Sequence, residues 1–95
     1  MNGDFEWDNN KAATNLKKHG VSFEAASRIF DDAFALDRLD MSMEYGEDRF
    51  AITGLVNGIV LTAIYTEQDG RIRLISARRA TRHEEVEYYD SQAQE

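Results

Sequence analysis

Residues 49–77 read RFAITGLVNGIVLTAIYTEQDGRIRLISA, and the two places where this stretch must turn decide the fold. Asn57-Gly58 is the strongest short-range signal for a tight hairpin. Both residue types tolerate the positive φ of a two-residue turn whose twist matches the flanking strands. Gln68-Asp69-Gly70 marks a second turn. The stretch therefore predicts three strands in a meander, over Arg49 to Val56, Gly58 to Thr66 and Arg71 to Ala77. Strict alternation in the last strand would place Ile72, Leu74 and Ser76 on one face and Arg71, Arg73 and Ile75 on the other.

Downstream, Thr81-Arg82-His83-Glu84 has the spacing of a capping box, so a final helix is expected from about Arg82 to Ser91, with Val86 and Tyr89 inward. Upstream, Phe34 to Leu39 reads as a weaker strand, followed by an acidic loop through Glu44 and Gly46. At the N-terminus, Asp4 to Asp8 alternates as a short half-buried strand would. Asp8 is a suitable N-cap for a helix over Asn9 to His19 with a narrow stripe of Ala12, Ala13 and Leu16, and Gly20 a suitable stop. Ser22 caps a second helix facing inward through Phe23, Ala26, Ser27 and Phe30, which ends at Asp31-Asp32. The expectation is a single α+β domain over residues 1–95. Two N-terminal helices and one C-terminal helix would cover one face of an antiparallel four- to five-stranded sheet, leaving the other face partly open.

The chain holds no Cys and no Pro, and no apolar run approaches the ~20 residues of a membrane span. Its N-terminal Met1-Asn2-Gly3-Asp4 is unlike a signal peptide. A soluble protein of the reducing cytoplasm, without membrane contact, is expected. The two histidines, His19 and His83, are far apart in sequence, and no metal-ligand spacing, phosphate-binding Gly motif or nucleophile elbow is present. No cofactor is expected.

Net charge is −7, but it is unevenly spread. Residues 1–70 hold thirteen acids and six bases, residues 71–82 hold five arginines and no acid, and residues 83–95 hold five acids and neither Lys nor Arg. A basic stripe inside an acidic protein is either a solvated strand edge or an anion site. Arg, Lys, His and Glu without a metal suffice to cleave RNA, because the ribose 2′-OH is the nucleophile. The protein has to deprotonate it, neutralise the phosphorane and protonate the leaving oxygen. Arg71, Arg73, Arg78, Arg79 and Arg82 are the candidate phosphate cradle. Lys18 and His19 end the first helix, where they fit either proton transfer or complementation of the helix dipole. Phe5 and Trp7 read as core anchors, and Tyr88 and Tyr89 as packing for the last helix.

The opening Phe5-Glu6-Trp7-Asp8, Lys11-Ala12, Asn15 and Lys18 through Ala26, the middle Tyr45 to Arg49, and the closing Gly70 to Arg82 together resemble the BrnT toxin family. The resemblance implies a RelE-like fold and metal-independent ribonuclease activity. It also implies neutralisation by a BrnA-like antitoxin, with operator DNA contacted only through that partner. Carried over residue by residue, it points to Ser76, Arg78 and Arg82 as active-site positions, with Lys18 and His19 from the opening motif and Glu67 and Arg73 as weaker candidates. The alternative is a non-catalytic or attenuated interaction module acting through protein binding alone. The −7 charge favours it, as do Glu85 and Glu87, which follow Arg82 where the family runs basic.

Overall fold

A computed structural model describes residues 4–40 and 48–93. The acidic loop expected around Glu44 and Gly46 lies outside the described residues. The chain forms β1 (Phe5–Glu6), α1 (Asn9–His19), α2 (Phe23–Ser27) continued by a 3₁₀ turn (Arg28–Asp31), β2 (Leu36–Leu39), β3 (Phe50–Val56), β4 (Ile59–Gln68), β5 (Arg71–Arg79) and α3 (Arg82–Ala93). The strand order is β1-β5-β4-β3-β2.

Local chemistry explains most boundaries. The Asp8 carboxylate accepts from the Asn10 and Lys11 amides at 2.8 and 3.2 Å, opening α1. Gly20 closes it at φ +73, its amide donating to the Leu16 carbonyl. Ser22 Oγ accepts from the Ala25 amide at 3.0 Å and starts α2. Both hairpins turn on two consecutive positive-φ residues, Asn57-Gly58 and Asp69-Gly70, the geometry that suits twisted antiparallel strands.

The sheet is mixed rather than purely antiparallel. β2 to β5 form the expected antiparallel meander, but β1 pairs parallel with β5, Phe5 opposite Ile72 and Glu6 opposite Arg73. No hairpin links β1 to β5, since most of the chain separates them, so nothing local forces antiparallel pairing.

A second departure lies inside β5. Ile64 pairs with Ser76 and Tyr65 with Leu74, which leaves Ile75 as a one-residue bulge. The bulge resets the alternation. Leu74 and Ala77 both point into the core, whereas Ser76, expected to share a face with Leu74, faces the opposite side.

The core lies between one sheet face and α1, α2 and the 3₁₀ turn. It contains Val21, Phe23, Ala26 and Ile29 against Ile52, Leu61, Ala63, Tyr65, Leu74 and Ala77. Phe5 and Trp7 join it edge-on to Phe30 and Phe23, confirming them as anchors. The absence of a side chain at Gly54 admits the 3₁₀ turn: a Cβ there would lie 2.9 Å from Ile29 Cγ2.

The N-terminus of α3 docks on the second face, not beside α1 and α2 as expected. Its Glu84 bonds Thr62, which alternates with the core residues Leu61 and Ala63. Its inward residues are Glu84 and Tyr88, while Val86 and Tyr89 are 43% and 48% exposed. The capping box turns Glu84 toward the sheet, and the residue one helical turn later follows it. Tyr88 donates to the Asp32 carboxylate, which also accepts from the Leu55 amide at 2.8 Å. Burial raises the Asp32 pKa, but the bonds from Leu55, Tyr88 and Phe34 outweigh it and hold the carboxyl below its ordinary value.

In α1 the expected apolar stripe is only partly inward. Leu16 is 50% exposed, Ala13 is exposed, and the buried residue is Asn15. Its side-chain amide accepts from Ala77 N at 3.1 Å and donates to Ala77 O at 2.8 Å, and it donates to Val21 O at 3.0 Å. β1 ends at Glu6, so the far half of β5 has no strand on that side, and one side chain supplies the missing ladder. Replacing Asn15 with Ala leaves these buried groups unsatisfied, and urea denaturation should show a loss of about 2–4 kcal/mol. Asn15→Asp should be worse at neutral pH, because it sets a carboxylate against two carbonyl oxygens.

Candidate active site

The Asn15–Ala77 bonds set the last turn of α1 beside the bulged part of β5. In consequence Lys18, His19 and Ser76 line one cavity of about 340 Å³, together with Asn10, Lys11, Thr14, Asn15 and Ile75. The structure therefore brings together candidates 57 residues or more apart in sequence. Ser76 reaches this cavity because the bulge turns it away from the core. Among the described residues neither Lys18 nor His19 takes part in an ion pair, so both are open to a ligand. Both sit in the final turn of α1, where cations also complement the helix dipole.

The five arginines of residues 71–82 do not converge on this cavity. Arg71 Nε lies 3.2 Å from Glu6 Oε1 and its Nη2 donates to the Phe5 carbonyl, while Arg73 Nη1 lies 3.8 Å from Glu6 Oε2. Arg79 lines a different pocket with Leu16, Gly20, Val21 and Ile59. Arg82 is exposed at the start of α3 and, among the described residues, forms no ion pair. Glu67 lines a separate cavity with Asp48, Phe50, Thr66 and Gln68.

Arg78 is held differently. Its guanidinium grips Glu84 in a bidentate pair, Nη1 to Oε1 at 2.7 Å and Nη2 to Oε2 at 3.0 Å. Arg38 Nη2 adds a bond to Oε2 at 3.0 Å, Thr62 Oγ1 one to Oε1 at 3.1 Å, and the Thr81 amide one to Oε1 at 2.9 Å. The capping box is complete, since Thr81 Oγ1 accepts from the Glu84 amide at 3.2 Å. Glu84 is only 8% exposed. Hydrogen bonding to Arg78 outweighs its burial and, with the Thr81 and Thr62 bonds, holds its pKa down at about 2. The Arg78 pKa is raised by the same pairing. In this arrangement Arg78 ties α3 to the sheet, and Glu84 already takes two of its donors.

Asn15, Arg38 and Glu84 organise the surroundings of the candidate residues, and the sequence gives little sign of it. Asn15 was one letter in a family-like run, although a polar residue on the inward face of a short helix is a signal in itself. Arg38 lay in a weak strand with no motif. The sequence spacing predicts Glu84 as a local cap, but its tie to Arg78, Arg38 and Thr62 is tertiary. Among the described residues no group of His, Asp and Glu is placed to hold a metal ion, and no helix is long and apolar enough to cross a membrane.

The depressed Glu84 pKa has a pH signature. A carboxylate whose folded pKa lies below its unfolded value contributes stability above the unfolded value and loses it as pH falls through the folded one. Stability should therefore fall as pH drops from about 4.5 to about 2, with a contribution on the order of 2–3 kcal/mol. Glu84→Gln should lose most of that contribution at pH 7 and flatten this part of the acid unfolding curve.

One family model, described as the ribonuclease toxin BrnT of type II toxin–antitoxin systems, matches residues 7–84. That span runs from Trp7 through α1, α2, strands β2 to β5 and the capping box to Glu84. No curated protein matches the chain.

Proposed function

Because the chain belongs to the BrnT family of type II toxin–antitoxin ribonuclease toxins, we propose that it is a metal-independent endoribonuclease with a RelE-like fold. It acts on RNA in the cytoplasm and is kept inactive by a BrnA-type protein antitoxin, through which alone it reaches operator DNA. The observation that supports this reading most directly is the single cavity lined by Lys18, His19 and Ser76.

In this site the RNA supplies its own nucleophile. The ribose O2′ attacks the adjacent phosphorus as its proton leaves, the P–O5′ bond breaks, and the O5′ oxygen takes up a proton. The products are a 2′,3′-cyclic phosphate and a free 5′-hydroxyl. His19 serves the proton transfers, since imidazole is the side chain suited to exchanging protons near neutrality. Lys18 and the Ser76 hydroxyl stabilise the charge that grows on the non-bridging oxygens. Arg82, free of a carboxylate partner among the described residues, adds positive potential at the start of α3. Arg78 contributes through the Glu84 pair that holds α3 and the end of β5 in place.

One observation favours a second reading, a binding module with little catalysis. Glu84 already engages both Arg78 and Arg38 and offsets part of their charge. Inducible expression in bacteria lacking an antitoxin separates the two readings. Wild type should arrest growth and degrade bulk RNA. His19→Ala, at an exposed residue that anchors nothing, should reduce cleavage by about 10²–10⁴-fold and restore growth. Normal growth and intact RNA with soluble wild-type protein would leave only the binding module. Arg78→Ala is a poorer probe, because it also removes the bidentate partner of the buried Glu84 carboxylate.

A further inference from the structure

Beside the Lys18–His19–Ser76 cavity lies a second one, of about 260 Å³, lined by Lys11, Arg49, Gln68, Arg73 and Ile75. Lys11 and Ile75 line both, so the two cavities share a wall. Among the described residues, the lining of the second consists of three cationic side chains, one amide and one aliphatic side chain. The nearest acid described for Arg73 is Glu6, whose carboxylate lies closer to Arg71 (3.2 Å) than to Arg73 (3.8 Å). Asp8 also attracts Lys11 and Arg73, but its carboxylate is engaged by the Asn10 and Lys11 amides as the cap of α1. Lys11 is exposed, lies one helical turn before Asn15 on the side of α1 nearest β5, and among the described residues forms no ion pair.

We propose that this second cavity is a phosphate subsite for single-stranded RNA, holding the phosphate next to the one that reacts beside His19. The proposal rests on the ribonuclease reading. Successive phosphates of one strand are a nucleotide apart, and two cavities sharing a wall suit two successive phosphates. Ile75, half-buried on that wall, gives the intervening ribose or base an apolar surface. Gln68 adds an amide that can both donate and accept. A cationic trough with apolar contacts is how proteins follow a single strand. The same trough explains how a chain of net charge −7 attracts RNA: the attraction is local to one sheet face.

The contrary possibility is that Arg73 only fastens β1 to β5 through Glu6. Binding of a 2′-O-methyl RNA oligonucleotide, uncleavable because O2′ is blocked, distinguishes the two. Anisotropy titrations over a salt series would compare wild type with Lys11→Ala, Arg73→Ala and Glu6→Gln, beside cleavage of unmodified RNA. Lys11→Ala and Arg73→Ala should each weaken binding about three- to tenfold and make the salt dependence shallower by about 0.7. The cleavage loss of Arg73→Ala, which lines only the second cavity, should fall on KM rather than kcat. Glu6→Gln, which releases Arg73 from its partner, should tighten binding. If the two alanine variants bind as tightly as wild type with the same salt slope while wild type cleaves RNA, the subsite is refuted and the ribonuclease reading stands. If wild type neither binds nor cleaves, both fall.

Discussion

The two hydrogen bonds between the Asn15 amide and the backbone of Ala77 hold the candidate site together. β1 covers only the first part of the β5 edge, and the rest would otherwise face α1 with an unsatisfied amide and carbonyl. A side-chain amide carries one donor edge and one acceptor edge, so it can stand in for a neighbouring strand. With that bond in place the last turn of α1 has a fixed height beside β5. Lys18 and His19 then line the cavity that Ser76 enters from the bulge. An apolar residue at position 15 could fill the volume but could not set the register of helix against strand.

The bulge at Ile75 is the second half of the same arrangement. A regular β5 would alternate Leu74 and Ser76 onto one face, putting the serine in the core. With one extra residue, Leu74 and Ala77 take the core positions and Ser76 turns outward. The bulge also leaves Ile75 on the wall between two cavities. Beyond it, Arg78 meets Glu84 and secures α3 on the second face, so one strand serves the core, the cavity and the helix dock in turn.

What the sequence made legible were the features that local chemistry decides. The limits of α1 follow from Asp8 and Gly20, the start of α2 from Ser22, and the hairpins from Asn57-Gly58 and Asp69-Gly70, each within a few residues of chain. The capping box at Thr81 and Glu84 belongs to the same group. Features set by partners distant in the chain stayed hidden. β1 runs parallel to β5, Ile75 bulges against Ile64 and Tyr65, and α3 turns Tyr88 rather than Tyr89 inward toward Asp32. The stripe of five arginines is the plainest case. Clustered in sequence, they separate in space: Arg71 and Arg73 meet Glu6, Arg78 meets Glu84, Arg79 lies in another pocket and Arg82 stands at the helix start. The neighbours Lys18 and His19 and the distant Ser76 are the candidates that come together.

The activity proposed for the Lys18–His19–Ser76 cavity is RNA cleavage by transphosphorylation without a metal ion. Its most direct test is purified protein incubated with single-stranded RNA in excess EDTA, followed by analysis of the fragment ends. Cleavage should persist in EDTA and leave 2′,3′-cyclic phosphate and 5′-hydroxyl termini. Cleavage that stops in EDTA, or that leaves 5′-phosphate termini, would contradict it.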